Sequence, residues 1–181
     1  MEKILITGTG RCGTTFLIKL FSFLGYNTGF TKDNYKKFIF ENCNSGMEKN
    51  YYDNFYIIKN PNFIKQIKEI IENDKIKKII IPIRNYKSSA LSRLKYNNNP
   101  GGLINATDEK SQIEYYKDII SNYIYYMTKY DIDTIFIDFD KMISDKIYLF
   151  NKLKDILNEN NIDINYFNKI YDEVSITSKN K

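Results

Sequence analysis

The stretch GTGRCGTTFL, residues 8–17, sets three glycines, a basic residue and two adjacent threonines between two different apolar patterns. Before it, Ile4 to Thr7 is a short apolar run that reads as a buried strand. After it, Thr14 to Leu24 reads as a helix. Phe16, Leu17, Leu20, Phe21 and Leu24 recur at helical spacing, and Gly25 is placed to stop the helix. A strand, a glycine-rich loop and a helix in that order form an anion cradle. Glycines let the backbone come close, and successive N–H groups at the positive end of the helix dipole hold the charge. Thr14 and Thr15 add hydroxyl donors in the first turn.

Outward from the loop, apolar runs and helical patterns alternate. Phe55 to Lys59 (FYIIK) is a second strand. Asn60-Pro61 then suits a helix start, with Asn as cap and Pro at the first position, and Phe63, Ile64, Ile67, Ile70 and Ile71 give that helix an apolar face. Lys78 to Ile83 is a third strand ending at Arg84, with a helix beginning near Lys87 or Ser88. NNNPGG, residues 97–102, is a break. A long helix spans roughly Ser111 to Tyr130, opened by a Ser111/Glu114 capping box. Thr134 to Phe139 is a further strand, a helix runs from about Asp145 to Asn158, and Asp163 caps a last short helix before a frayed tail, SITSKNK. Residues 26–54 show little periodicity, and so long an irregular stretch in a compact domain is usually functional. Continuously apolar strands alternating with helices predict a parallel sheet covered on both faces. The expectation is one α/β domain over 1–181.

Composition narrows the function. Hydrophobic residues make up 43% and charged ones 27%, the balance of an ordinary globular chain. Ile, Lys, Asn and Tyr are abundant, as an A·T-rich coding sequence produces. The net charge of +5 suits anionic ligands, but no block of basic residues marks a nucleic-acid partner. Two cysteines and no histidine exclude a disulfide framework and a Cys/His metal site. The N-terminus lacks the pattern of a signal peptide. No apolar run approaches the ~20 residues of a membrane span. A cytoplasmic, membrane-free protein is expected.

The loop departs from nucleotide hydrolases at one position. Where those carry Lys, to reach between the β- and γ-phosphates, this chain has Thr14. That argues against triphosphate chemistry, as does the lack of a recognisable magnesium-binding strand. A kinase on the same fold is therefore disfavoured. A tyrosine phosphatase loop is excluded because Cys12 has no Arg six residues on.

The order basic, small, Gly, Thr, Thr, aromatic in RCGTTF resembles the Lys-Ser-Gly-Thr-Thr-Trp loop of sulfotransferases, which grips the 5′-phosphosulfate of 3′-phosphoadenosine 5′-phosphosulfate (PAPS). The resemblance implies that Arg11 stands for the lysine, that Cys12 contributes through its backbone, that Gly13, Thr14 and Thr15 hold the 5′ end, and that Phe16 lies against adenine. The family holds the 3′-phosphate with an Arg after a strand and a Ser eight residues on. IIIPIRNYKSSALSRL supplies Arg84 and Ser92 at that spacing. A guanidinium fork meeting a phosphate is chemically apt. FYIIKNPNF is similar to the family strand whose terminal Lys, here Lys59, lies near the transferring sulfonate, and TIFIDFDKMISDKIYLFNKLKDIL is similar to a late strand and helix. The match to small bacterial and phage-type members covers most of the chain. It is thinnest over 26–54 and at the C-terminus, where the segment that closes over the 3′-phosphate in animal members is not recognisable; NNNPGGLINA is the candidate substitute.

The implied reaction moves a sulfonate from PAPS to a hydroxyl or amine, leaving 3′-phosphoadenosine 5′-phosphate (PAP), without a metal. Many members use a His base two residues after the Lys, but here that position is Pro61. Other branches use Glu. The candidates are Glu48, after the flexible Ser45-Gly46 turn in a segment GMEK similar to one in small bacterial members, and Glu41. Because the base is unassigned, a non-catalytic PAPS- or PAP-binding protein is a further alternative. A small-molecule or glycan acceptor would be walled by residues 26–54 and 97–110, which carry no readable code. Oligomeric state is equally unreadable.

Overall fold

The computed structural model describes residues 2–40, 43–73, 75–96 and 101–179. Four parallel strands form the main sheet, in spatial order β4 (Ile57–Lys59), β1 (Lys3–Ile6), β5 (Ile76–Ile83), β6 (Thr134–Asp138). Each is short and apolar, and alternate residues enter opposite cores. Ile4, Ile6, Ile57, Ile80 and Ile137 pack with α1 (Thr14–Phe23), α6 (Lys146–Glu159) and α7 (Ile164–Lys179). Leu5, Ile58, Ile79 and Ile81 pack with α2 (Ile67–Asn73) and α4 (Glu109–Lys129). Burial on both faces is why these strands read as continuous apolar runs.

The chain leaves β1 for β4 on one side and then crosses to β5 on the other. This reversal lies at β1, and in an open α/β sheet ligands bind outside the carboxyl ends of the strands at such a point. The loop 7–13 and the strand-terminal residues Lys59 and Arg84 all emerge there.

Several elements differ from the sequence expectation. The long helix α4 begins at Glu109, and its capping box joins Asp108 to Ser111 in place of Ser111 to Glu114. The Asp108 carboxylate accepts from the Ser111 amide at 2.8 Å, and Ser111 Oγ accepts from the Asp108 amide at 3.1 Å. Asn60 does cap, accepting from the Asn62 amide at 2.9 Å, but it opens a 3-10 turn, Pro61–Gln66, that precedes α2. The helix after β5, α3 (Tyr86–Leu94), starts a residue earlier than expected, capped by Asn85. The strand after α4 stops at Asp138, and Phe139 opens a short helix, α5 (Phe139–Ser144). The last helix is not short, and residues 180–181 of the expected frayed tail lie outside the described residues. It runs 16 residues to Lys179, because Phe167, Ile170, Tyr171 and Val174 form a buried stripe against the α1 core. Residues 26–54 contain a 3-10 turn, Tyr35–Phe38, and a small antiparallel pair, β2 (Ile39–Phe40) with β3 (Ser45–Gly46). Tyr26 anchors the start of this stretch, donating from its hydroxyl to the Ile156 carbonyl at 2.6 Å.

Candidate active site

The loop after β1 has positive φ at four residues, Gly8 (148°), Gly10 (73°), Arg11 (57°) and Gly13 (92°). Glycine is required at two of them for space as well as angle. A Cβ on Gly13 would stand 2.3 Å from Met142 Cε, and one on Gly10 would stand 2.2 Å from Arg93 Nη2. Gly13 is the α1 N-cap and supplies no side chain, so no side-chain cap bond occupies the first-turn amides. Thr14 and Thr15 follow, and both line a cavity of about 460 Å³, within the range of small-ligand sites.

All three arginines of the chain, against 24 lysines, stand on this cavity's walls. Arg84 Nη1 donates to the Arg11 carbonyl at 3.1 Å, and its guanidinium packs 4.5 Å from the Phe139 ring centre. Arg11 Nε donates to Ser92 Oγ at 3.1 Å, and Arg11 Nη1 donates to the Cys43 carbonyl. Arg93 donates to the Tyr116 hydroxyl and to backbone carbonyls of Thr9 and Gly102. None of these partners is a carboxylate. The pKa of Arg11 is lowered, first by burial and then by Arg93 and Arg84, with Tyr96 and Cys43 opposing. Neighbouring cations raise one another's energy and favour an anion between them.

Lys59 ends β4, fully buried, and its ammonium donates to the Gly46 carbonyl at 2.9 Å and to the Glu48 carboxylate. Desolvation lowers the Lys59 pKa, and the Glu48 carboxylate opposes that shift. Glu48 is reached by a tight turn. A Cβ on Gly46 would fall 2.0 Å from the Phe38 carbonyl, and the Lys49 amide then donates to the Lys59 carbonyl at 3.0 Å. The carboxylate is thereby held at the end of β4, on the cavity wall.

Among the residues singled out from sequence, Arg11, Gly13, Thr14, Thr15, Phe16, Glu48, Lys59 and Arg84 share the cavity. Ser92 reaches it through its bond to Arg11 and is not itself on the wall. The Cys12 side chain is wholly buried, its thiol pKa raised by desolvation. Glu41 and residues 97–100 lie outside the described residues. Sequence reasoning missed Arg93, Phe139 from the start of α5, and Ser175 and Ser178 from α7, all of which line the cavity. It also missed Lys19, one turn beyond Thr15, which donates to Ser178 Oγ at 3.4 Å. One signal was available for Arg93: in a chain this rich in lysine, each arginine marks a place where a planar fork is needed. Among the described residues, no group of three or more His, Cys, Asp or Glu could hold a metal ion, and no helix is long and apolar enough to cross a membrane.

An open parallel sheet with a glycine loop at the carboxyl end of β1, and cations at the ends of two more strands, defines an α/β protein with a cationic cavity at that edge. The model of the sulfotransferase domain matches residues 1–174 of the 181, and the chain belongs to that family of sulfonate-transferring proteins. Comparison with curated proteins and with solved structures gives no match.

Proposed function

We propose that the protein transfers the sulfonate of PAPS to a hydroxyl or amine of a small-molecule or glycan acceptor and releases PAP. The observation that carries this reading is the convergence of all three arginines on one cavity with no carboxylate partner among the described residues. The cavity wall carries Arg11, Lys59, Arg84 and Arg93 against the single carboxylate of Glu48 among the described residues. That excess suits a donor of about four negative charges, some two of them on its 3′-phosphate.

In this reading the first-turn amides, Thr14 and Thr15 hold the 5′-phosphate, and Arg11 lies beside it. Arg84 takes the 3′-phosphate, with Ser92 acting through its bond to Arg11, and Phe16 and Phe139 offer rings to adenine. The acceptor oxygen or nitrogen forms a bond to sulfur as the bond from sulfur to the 5′-phosphate oxygen breaks. Its proton passes to Glu48, and the leaving electron pair stays on PAP. Lys59 neutralises charge on the sulfonate oxygens. The Glu48 carboxylate is bonded to the Lys59 ammonium. The same two residues therefore do both jobs if Lys59 turns from Glu48 to the sulfonate, which frees the carboxylate as the donor's charge arrives.

Calorimetry with PAP, ADP and ATP tests the reading. PAP should bind markedly more tightly than ADP, and Arg84→Ala should remove most of that preference, at a cost of about 1.5–3 kcal/mol for a charge-assisted contact. Equal affinity for PAP and ADP, or magnesium-dependent ATP binding, would overturn it.

A further inference from the structure

Arg93 is assigned no role by the family resemblance or by the reaction scheme above, and it is nearly inaccessible, at 3% exposure. It leaves α3 and reaches three separate parts of the chain. Nε donates to the Tyr116 hydroxyl on α4 at 2.7 Å. Nη2 donates to the Thr9 carbonyl in the phosphate loop at 3.2 Å. Nη1 donates to the carbonyls of Gly102 at 2.6 Å and Gly101 at 3.4 Å. The Tyr116 bond fixes the orientation of the fork, and its other two nitrogens then hold the two loops at a set spacing.

Both loops are cavity walls, contributing Gly10 on one side and Gly101 and Ile104 on the other. The second wall has a further tether. Gln112, fully buried, accepts from the Ile104 amide at 2.9 Å. Gly101 packs against the first wall directly, since a Cβ there would meet Cys43 at 3.4 Å and Arg11 Nη1 at 3.5 Å. Gly10 leaves the space that the Arg93 fork occupies.

We propose that Arg93 is a positioning residue that couples the phosphate loop to the 101–104 wall, so that donor binding at the loop tightens the wall against which the acceptor sits. The proposal rests on the donor reading above for its ligand, but its geometry does not. A lysine cannot replace the device, because one ammonium cannot hold carbonyls and a hydroxyl at three fixed directions of a planar fork. Coupling between sites of this kind is ordinarily worth about 5- to 150-fold in affinity.

Amide hydrogen exchange on the full chain tests the coupling, with and without saturating PAP, in wild type, Arg93→Lys and the milder Tyr116→Phe. In wild type, PAP should slow exchange in the phosphate loop and in residues 102–106 together. In Arg93→Lys, PAP should bind about tenfold more weakly and, at saturation, protect the loop while leaving 102–106 as fast as without ligand. Tyr116→Phe should fall between. Full protection of 102–106 in Arg93→Lys would overturn the proposal. If PAP fails to bind wild type, the donor reading falls and the ligand-free comparison still decides. Arg93→Lys must then speed exchange at both loops relative to β5, and unchanged exchange at either loop overturns the clamp.

Discussion

On one side of the cavity the lining groups stand at the ends of β1, β4 and β5 and in the first turn of α1. On the other they come from the 39–48 turn and the 101–104 segment. The first side is fixed by the sheet, whose register places Lys59 beside Ile6 and so sets strand ends a few ångströms apart. The second side has, among the described residues, no regular structure beyond the two-residue pair of β2 and β3. It is held by side chains that reach across: Arg11 to the Cys43 carbonyl, Arg93 to Gly101 and Gly102, Gln112 to Ile104. A site assembled this way has one wall set by the core and one set by tethers, and the two should respond differently to substitution.

The largest effect expected is on Lys59, which belongs to the sheet side yet is paired to the loop side. Lys59→Met should lower sulfonate transfer by roughly 10²–10³-fold, as for loss of one charge-stabilising donor. It should cost little stability, because a buried ammonium is replaced by an apolar chain of similar shape, and Glu48 is free to face water. The pH dependence separates the two. The folded-state pKa of Lys59 lies below the ordinary 10.5. The unfolded chain therefore binds this proton more tightly, and folding stability rises as pH climbs from the folded value toward 10.5. Wild type should gain on Lys59→Met over that window in denaturant unfolding. No gain would mean that the ammonium is not desolvated as its burial implies.

Glu48→Gln comes next and probes the tethered half of the same ion pair. Single-turnover transfer from labelled PAPS, to an acceptor found by screening phenols, amines and sugars, should fall roughly 100-fold or more, with PAP affinity unchanged. Equal losses in rate and PAP affinity would move Glu48 from the acceptor side to the donor side. Glu41→Gln is the control for the rival carboxylate.

Gly13→Ala tests whether the sheet side is as rigid as its construction implies. The added Cβ meets Met142 Cε at 2.3 Å, and the φ of 92° is unfavourable for alanine. A loss of about 1–3 kcal/mol in unfolding free energy is expected. In a double-mutant cycle with Met142→Ala, whose own cavity cost is subtracted, the coupling should recover the Met142 part of the clash and leave the backbone part and the Phe139 contact at 3.0 Å. Full recovery would mean that the left-handed turn carries no strain of its own.

What the sequence made legible follows the same division. Strand order aside, the sheet side was readable because each feature is local: RCGTTF sits between one strand and one helix, and Arg84 lies at a strand end with Ser92 eight residues on. The tethered side was opaque because its partners are far apart in sequence. Arg93 acts on Thr9, 84 residues away, and on Tyr116, 23 residues away. Nothing in SALSRL signals either bond. The C-terminal helix was misread for a different reason. Ser175, Thr177 and Ser178 look like a polar tail, but Phe167, Ile170, Tyr171 and Val174 recur at helical spacing and bury against α1, which carries the serines to the cavity. The start of α4 was misplaced because Asp108 and Ser111 each qualify as a cap by type, and only the geometry of their reciprocal bonds chooses between them.

The smallest effect expected is at Lys49, and it tests what holds Glu48 in place. The Lys49 ammonium lies 4.9, 5.8 and 4.7 Å from the ring centres of Phe30, Phe38 and Phe55, while its amide donates to the Lys59 carbonyl at 3.0 Å. Two restraints therefore act on the residue that follows Glu48, one through the side chain and one through the backbone. Lys49→Gln removes only the first, worth about 0.5–1 kcal/mol at a partly exposed site. Because the backbone bond remains, the carboxylate should keep its place. Transfer should fall by no more than a few fold, and Lys49→Arg should restore the lost stability through the same rings. If Lys49→Gln instead slows transfer as severely as Glu48→Gln, the aromatic cage and not the edge of β4 positions the carboxylate, and the tethered wall extends to the end of the sheet itself.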